Sequence, residues 1–490
     1  MLPYLRARFV VIVALSTGFF YGTTAEDFPT HNASSPEQIL PEDTVFILTS
    51  PDCARLKRDL EQLPLTKFWK DPALQPFREN FLKNWKEQIS RPLEHDLGIR
   101  LGEIFKLAQG QCTFALIQNS FESRDSSRLG AIFILDTLNK ASQLSTNLAL
   151  FRNKLSASGR IVRDERIRGH NFSIITVISN DLPAGVHRLF PSTPEVQEAD
   201  AEPPPPRPEI RNDWVFGTVG SILIAGNSLK AVEKVVARIT GSPSPVVGDL
   251  AAFESSRQTY FRQAPLYAWL NVKALSQAAN RNRADKRGPA NPDPFSLIKS
   301  DNLMTSSGLA GARSIAFSAQ PSADGLLVQI FAASPEQSRE SLLKVVTGEA
   351  KEHAPPHFVP ANAARFWRWR LDGQKSWPSI QRFLAEASPQ TLNTINYILN
   401  AANSSRSKDP GFDVRKNLLA NLGDDLICYE KPPVMTHFPT ADSGPSILLI
   451  GSPNPEKLTA SLKSVFMVLS SGAPEEKDFL GRRVYSMPAP

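Results

Sequence analysis

The chain is 490 residues long, 41% hydrophobic and 21% charged, and its 55 Lys and Arg against 49 Asp and Glu give a formal net charge of +6. That apolar share builds ordinary cores, so global disorder is excluded, as are collagen-like and coiled-coil compositions. Three Cys in so long a chain exclude a disulfide-dense scaffold and a zinc ribbon, and at roughly 100–200 residues per domain the length calls for two to four units.

Residues 1–25 read as an export signal. A basic stretch with Arg6 and Arg8 precedes the apolar run Phe9–Gly22, and Thr23-Thr-Ala25 supplies the small residues before a cut. The run is shorter than the ~20 residues a membrane span needs, so cleavage after Ala25 is expected, and no later stretch is long enough to span. Losing Arg6 and Arg8 lowers the charge from +6 to +4, weak grounds for an anionic partner. The expected location is periplasmic or extracellular, an oxidising setting. Cys53, Cys112 and Cys428 are nonetheless expected as buried free thiols, and an odd count leaves at least one unpaired in a monomer.

After a flexible lead-in at 26–39, a first unit spans 40–242. Leu40-Pro-Glu-Asp-Thr44 opens an apolar strand ending at Asp52 ahead of a helical stretch, and Asp96–Ala115 reads as turn, short helix, Gly and strand. Gly130–Asp136 leads into a helix over Ser142–Leu155, a turn centred on Gly169 and a strand over Phe172–Ile178. A stiff, proline-rich acidic insertion fills 191–210. Trp214–Ala225 then predicts a hairpin pivoting near Gly220, and Asn227 or Ser228 is placed to cap a helix over Leu229–Ile239.

Pro243–Pro245 marks a boundary with a smaller middle unit, 243–353. It holds a strand over Leu266–Val272, the basic loop Arg281–Arg287, a hairpin from Ser314–Ala319 to Leu326–Ala332, and a helix from Pro335 to near Val346. Residues 354–490 then repeat the first unit incompletely. Val359–Asp372 matches the Leu40–Asp52 strand, Asp409–Cys428 matches Asp96–Ala115, and Ser446–Gly451 with its following helix matches Gly130–Leu155. The match ends at a strand near Tyr485, with no counterpart of Trp214–Ile239 after it. The expected fold is α+β: antiparallel sheets of hairpins covered on one face by helices, two larger units flanking a smaller one.

The Leu40–Thr44 opening and its strand, Pro64-Leu-Thr-Lys-Phe-Trp-Lys-Asp-Pro72 and the Leu97–Leu116 block resemble a family of exported bacterial proteins catalogued as a domain of unknown function. The resemblance spans most of 40–350 and weakly the second copy, where Ala361-Asn-Ala363 replaces Glu42-Asp-Thr44. It implies export and brings no catalytic residue with it.

Catalytic patterns are sparse. The Gly-x-Ser-x-Gly elbow is absent, and Ser-x-x-Lys, at Ser296–Lys299 and Ser341–Lys344, comes without the accompanying penicillin-binding motifs. His353 and His357 flank two prolines, which preclude a helical face aiming both rings at one metal. Asp424-Asp425 reads as a turn at the end of a helix. No cofactor is implied. The sharpest local feature is Arg365-Phe-Trp-Arg-Trp-Arg370. On a strand, Arg365, Trp367 and Trp369 share one face, while Phe366, Arg368 and Arg370 share the other. Such residues suit stacking on sugars or holding anionic polymers. The apolar counterpart Val45–Thr49 instead argues for tryptophans in the core with arginine stems covering a sheet face.

These readings favour a non-catalytic binding or scaffolding module of the cell envelope or extracellular space. The expected partners are envelope proteins or polysaccharide, not nucleic acid, with Arg365, Trp367, Arg368, Trp369 and Arg370 as the candidate surface. The alternatives are a secreted hydrolase with a site assembled from dispersed residues, and a polysaccharide binder using Trp367 and Trp369.

Overall fold

A computed structural model describes residues 35–87, 91, 104–118, 129–178, 211–277, 306–323, 325–347, 351–404, 412–432, 445–470 and 475–486. The export signal, the 191–210 insertion, the basic loop 281–287 and Ser296–Lys299 lie outside these residues. The chain forms two compact units: 1–299 with 313–333, and 300–312 with 334–490.

The first unit is built on a ten-stranded antiparallel sheet ordered β10-β9-β8-β1-β2-β3-β7-β6-β5-β4. In chain order the strands are β1 (Thr44–Ser50), β2 (Cys112–Gln118), β3 (Leu129–Asp136), β4 (Val162–Ile167), β5 (His170–Ile178), β6 (Arg211–Val219), β7 (Ile222–Gly226), β8 (Leu266–Asn271), β9 (Ser314–Ser322) and β10 (Gly325–Ala333). The fold class is α+β, built from hairpins as the alternating patterns indicate.

The junction expected at Pro243–Pro245 is no break in this sheet, because β8 pairs with the second edge of β1, Phe46 opposite Leu270 and Thr49 opposite Tyr267. The prolines are pinned to the start of β1: Glu42 N–H donates to the Pro245 carbonyl at 3.3 Å, and Pro41 forms a bridge with Val246.

Helices cover both faces of this sheet. Ser228 caps α6 (Leu229–Ile239) by accepting from Ala231 N–H, whereas the Asn227 side chain turns away and accepts from Ala131 N–H at 2.7 Å. The α6 stripe Ala231, Val232, Val235 and Val236 is buried against α1 (Pro36–Ile39) and against Ile47, Ile132, Ile134, Phe172 and Ile224 of the sheet. On the opposite face Leu144 of α5 (Ala141–Ala157) packs with Leu135 and Leu223. Three shorter helices, α2 (Cys53–Gln62), α3 (Pro64–Trp69) and α4 (Gln75–Trp85), follow β1, and Asp52 caps the first of them by accepting from Arg55 N–H at 2.7 Å. α7 (Ala251–Ser256) precedes β8 and buries Phe253 against Trp269.

The second unit carries a three-stranded sheet, β11 (Arg365–Trp369), β12 (Leu426–Glu430) and β13 (Ser446–Ile450), and a hairpin of β14 (Glu475–Phe479) and β15 (Arg482–Ser486). Its helices are α8 (Ser341–Val346), α9 (Gly373–Ala387), α10 (Pro389–Ser404), α11 (Val414–Ala420) and α12 (Pro455–Ser470). The helix expected from Pro335 is two pieces, a 3-10 turn at Glu336–Ser338 and then α8, because Arg339 and Glu340 between them are extended.

Backbone bonding repeats the first unit within the second. Cys53 N–H donates to Gly110 O and Gly110 N–H to Asp136 O; Gly373 N–H donates to Gly423 O and Gly423 N–H to Gly451 O. Asp372 caps α9 as Asp52 caps α2. The β4–β5 turn, Arg168–Gly169, and the β14–β15 turn, Leu480–Gly481, each hold two residues at positive φ, the geometry that lets a two-residue loop follow the twist of its strands. Arg152 of α5 pairs with Asp164 of β4, and Lys463 of α12 pairs at 3.7 Å with Glu476, at the same place in β14.

Candidate functional site

The Arg365–Arg370 segment forms β11 and its exit, paired antiparallel to β12, with Trp367 opposite Cys428 and Trp369 opposite Leu426. Leu448 of β13 continues the first of these rows and Ile450 the second. Strand alternation places Arg365, Trp367 and Trp369 on one face with Leu426, Cys428 and Leu448. On that face Trp367 is 48% and Trp369 54% exposed, and Leu448 and Leu426 are exposed beside them.

The expectation that the tryptophans lie in the core with arginine stems outside is therefore reversed. Two features account for it. Among the described residues β11 is an edge strand, whereas its counterpart β1 is enclosed by β8 and β2. On the other face, the acids at the entry to β12 draw the arginines inward. Arg368 grips Asp425 with two bonds, Nε to Oδ1 at 2.9 Å and Nη2 to Oδ2 at 2.8 Å, and its Nη1 donates to Ala354 O. Arg370 lies 3.5 Å from Asp424 and 3.7 Å from Asp425, and Lys351 also pairs with Asp424. The Arg368 hydrogen bonds hold the Asp425 carboxyl below its ordinary range, and Lys351 does the same for Asp424. Arg368 is correspondingly pushed up by its bonds to Asp425. Only Arg365 stays on the open face, in an exposed pair with Glu430 at 3.4 Å.

The candidate set thus divides by face. Arg365, Trp367 and Trp369 line an accessible, mainly apolar surface, while Arg368 and Arg370 are committed to Asp424 and Asp425. Sequence reasoning left that acidic pair as a turn and missed its partners. The duplication carried the signal, since aligning β12 on β2 sets Leu426 opposite Trp369 and so brings Asp425 to the arginines.

Other candidate chemistries find little support. The Ser341 hydroxyl is buried without a hydrogen-bond partner, so Lys344, exposed on the same helix, does not activate it. His353 and His357 are exposed on irregular backbone. Among the described residues no cluster of three or more His, Cys, Asp or Glu could hold a metal, and no helix is long and apolar enough to cross a membrane.

No family model, curated protein or solved structure matches this chain. The resemblance drawn from residues 40–116 therefore rests on those segments alone.

Proposed function

We propose that this protein is an exported, non-catalytic binding or scaffolding module of the cell envelope or extracellular space, and that the β11–β13 face bearing Trp367 and Trp369 is its recognition surface. The observation that carries this reading is the half-exposure of both indole rings on a regular strand while the neighbouring cations are neutralised from the other side. Large, stiff aromatic side chains beside exposed leucines supply contact area at low entropic cost, the composition of a protein-binding patch. A polysaccharide partner is the second reading, favoured by two accessible indole faces on one strand side.

The test is capture from the native envelope fraction with the wild-type chain and with a Trp367→Ala/Trp369→Ala variant, alongside binding to an array of envelope glycans. A protein partner lost in the variant supports the main reading, and a glycan lost in the variant supports the second. Identical capture by both forms sinks the proposed surface.

A further inference from the structure

In the first copy, β3 and β5 do not touch each other: the β6–β7 hairpin lies between them, in the order β3-β7-β6-β5. The next helix, α6, then closes the core over that face. In the second copy, β13 corresponds to β3 and β15 to β5. Among the described residues nothing takes the places of β6, β7 and α6, and β14–β15 stands as a separate two-stranded sheet.

The open edge has a defined hydrogen-bond pattern. Gly451 N–H donates to Asp425 O and Lys431 N–H to Pro445 O. Antiparallel alternation then directs the polar backbone groups of Ile447 and Leu449 toward β12, and those of Ser446, Leu448 and Ile450 outward. Their counterparts Ala131, Phe133 and Leu135 face Asn227, Ala225 and Leu223, at the end of and within the β7 segment.

Side-chain exposure follows the same logic. Ile132, Ile134 and Phe172, covered in the first copy by β6, β7 and α6, are 0%, 0% and 1% exposed. Ile447, Leu449 and Val484, at the same register positions, are 37%, 37% and 45% exposed. The apolar surface left bare is the surface that a hairpin and helix would cover.

We propose that this open edge and bare face bind a β-hairpin followed by an amphipathic helix of a partner polypeptide, in the manner that β6, β7 and α6 cover the first copy. The strand meeting β13 would be apolar on both faces, as Ile222-Leu-Ile224 is, and would bond to Ser446, Leu448 and Ile450. The second strand would pair with the open edge of β15. The helix would lay a stripe of small aliphatic residues on Ile447, Leu449 and Val484, as α6 does in the first copy. This is strand addition, with main-chain bonds giving affinity and alternate side chains giving selectivity. It names a partner chemistry for the binding-module reading and uses a different surface from the tryptophans.

The experiment titrates the full chain into a fluorescent synthetic peptide of residues 211–241, the hairpin and helix of the first copy, and reads anisotropy and amide exchange. Saturable binding is expected, with new protection at Leu448 and Ile450. Leu449→Glu and Val484→Glu, both at exposed positions, are each expected to weaken it by roughly tenfold or more, since each sets a charge under the helix. Trp367→Ala/Trp369→Ala should leave it unchanged, which separates failure of this socket from failure of the tryptophan surface. Four results overturn the proposal: no saturable binding, binding that survives either Glu variant, β13 amides already protected in the free chain by a self-dimer that sediments as such, or a native intact mass showing that the chain itself continues with the missing segment.

Discussion

Equivalent truncations in the two copies should cost different amounts. Ile134 and Leu449 hold the same register position, the former sealed under α6 and the latter open. Cutting either to Ala removes three carbons. For Ile134, about 0.8 kcal/mol per buried carbon gives ~2.4 kcal/mol, and an enclosed cavity raises this to about 3–4 kcal/mol. For Leu449, about two-thirds of that transfer applies and no closed cavity forms, giving ~1.5 kcal/mol. Each unit has its own reporter, because Cys53 is buried in the first and Cys428 in the second. Pulsed thiol labelling across a urea series, read by mass, should show Cys53 protection lost about 1–2 M earlier in Ile134→Ala, with slopes of about 2–3 kcal/mol/M. Cys428 protection in Leu449→Ala should move by less than half as far. Equal costs at the two positions would refute the argument, because they would mean that β13 is already sheathed.

Acid should weaken both units. Hydrogen bonds from Arg257 and then Gln258 hold Glu254 at about 2, and Asp424 and Asp425 are also lowered. Carboxyls depressed on folding stabilise above their unfolded values and lose that contribution as pH falls through the folded ones. The urea midpoint should therefore drop below about pH 4.5, and Arg368→Ala should flatten the Cys428-reported part; an unchanged slope in that variant counts against the pairing. The neighbouring Cys112 side chain, then burial, pushes the Cys53 thiol well above the ordinary value. Oxidation should slowly close a Cys53–Cys112 disulfide, lowering the titratable thiols from three to one, and a chain that keeps all three under oxidant shows that the pair cannot close. Gly217→Ala would bring a Cβ to 2.5 Å from Phe172 Cδ1. A loss of about 1–3 kcal/mol is expected from the overpacking, since the Asn171 carbonyl also lies 2.9 Å from that Cβ, and a neutral result by thermal melting would show that both the Phe172 ring and the β5 backbone can yield.

Much of the fold is legible in local pattern. The α6 stripe, the Gly220 pivot and the Ser314–Ala332 hairpin follow from residue spacing and turn chemistry alone, and the duplication follows from three matched segments. What periodicity could not reveal is which strand edges meet. Pro243–Pro245 has the composition of a linker yet binds the start of β1, and β8 joins β1 across more than two hundred residues. Such pairing is settled by burial summed over the whole sheet, which no local window contains. The Arg365–Arg370 strand shows the same limit. Alternation correctly sorted its side chains into two faces, but which face is buried depended on Asp424 and Asp425, far along the chain. Those acids reverse the assignment that the apolar counterpart Val45–Thr49 suggested.

The chain passes between its two units three times, since residues 313–333 return to the first after 300–312 have joined the second. Synthesis proceeds in one direction, so β8 exists before the strand that covers its outer edge. Until Ser314–Ser322 emerges, that edge is a bare template to which a neighbouring nascent chain can pair. A fragment ending at 299 would keep this defect permanently. One beginning at 334 would lack the Ser307 carbonyl that receives Leu343 N–H. No single cut yields two intact halves, and each unit has to be studied within the whole chain.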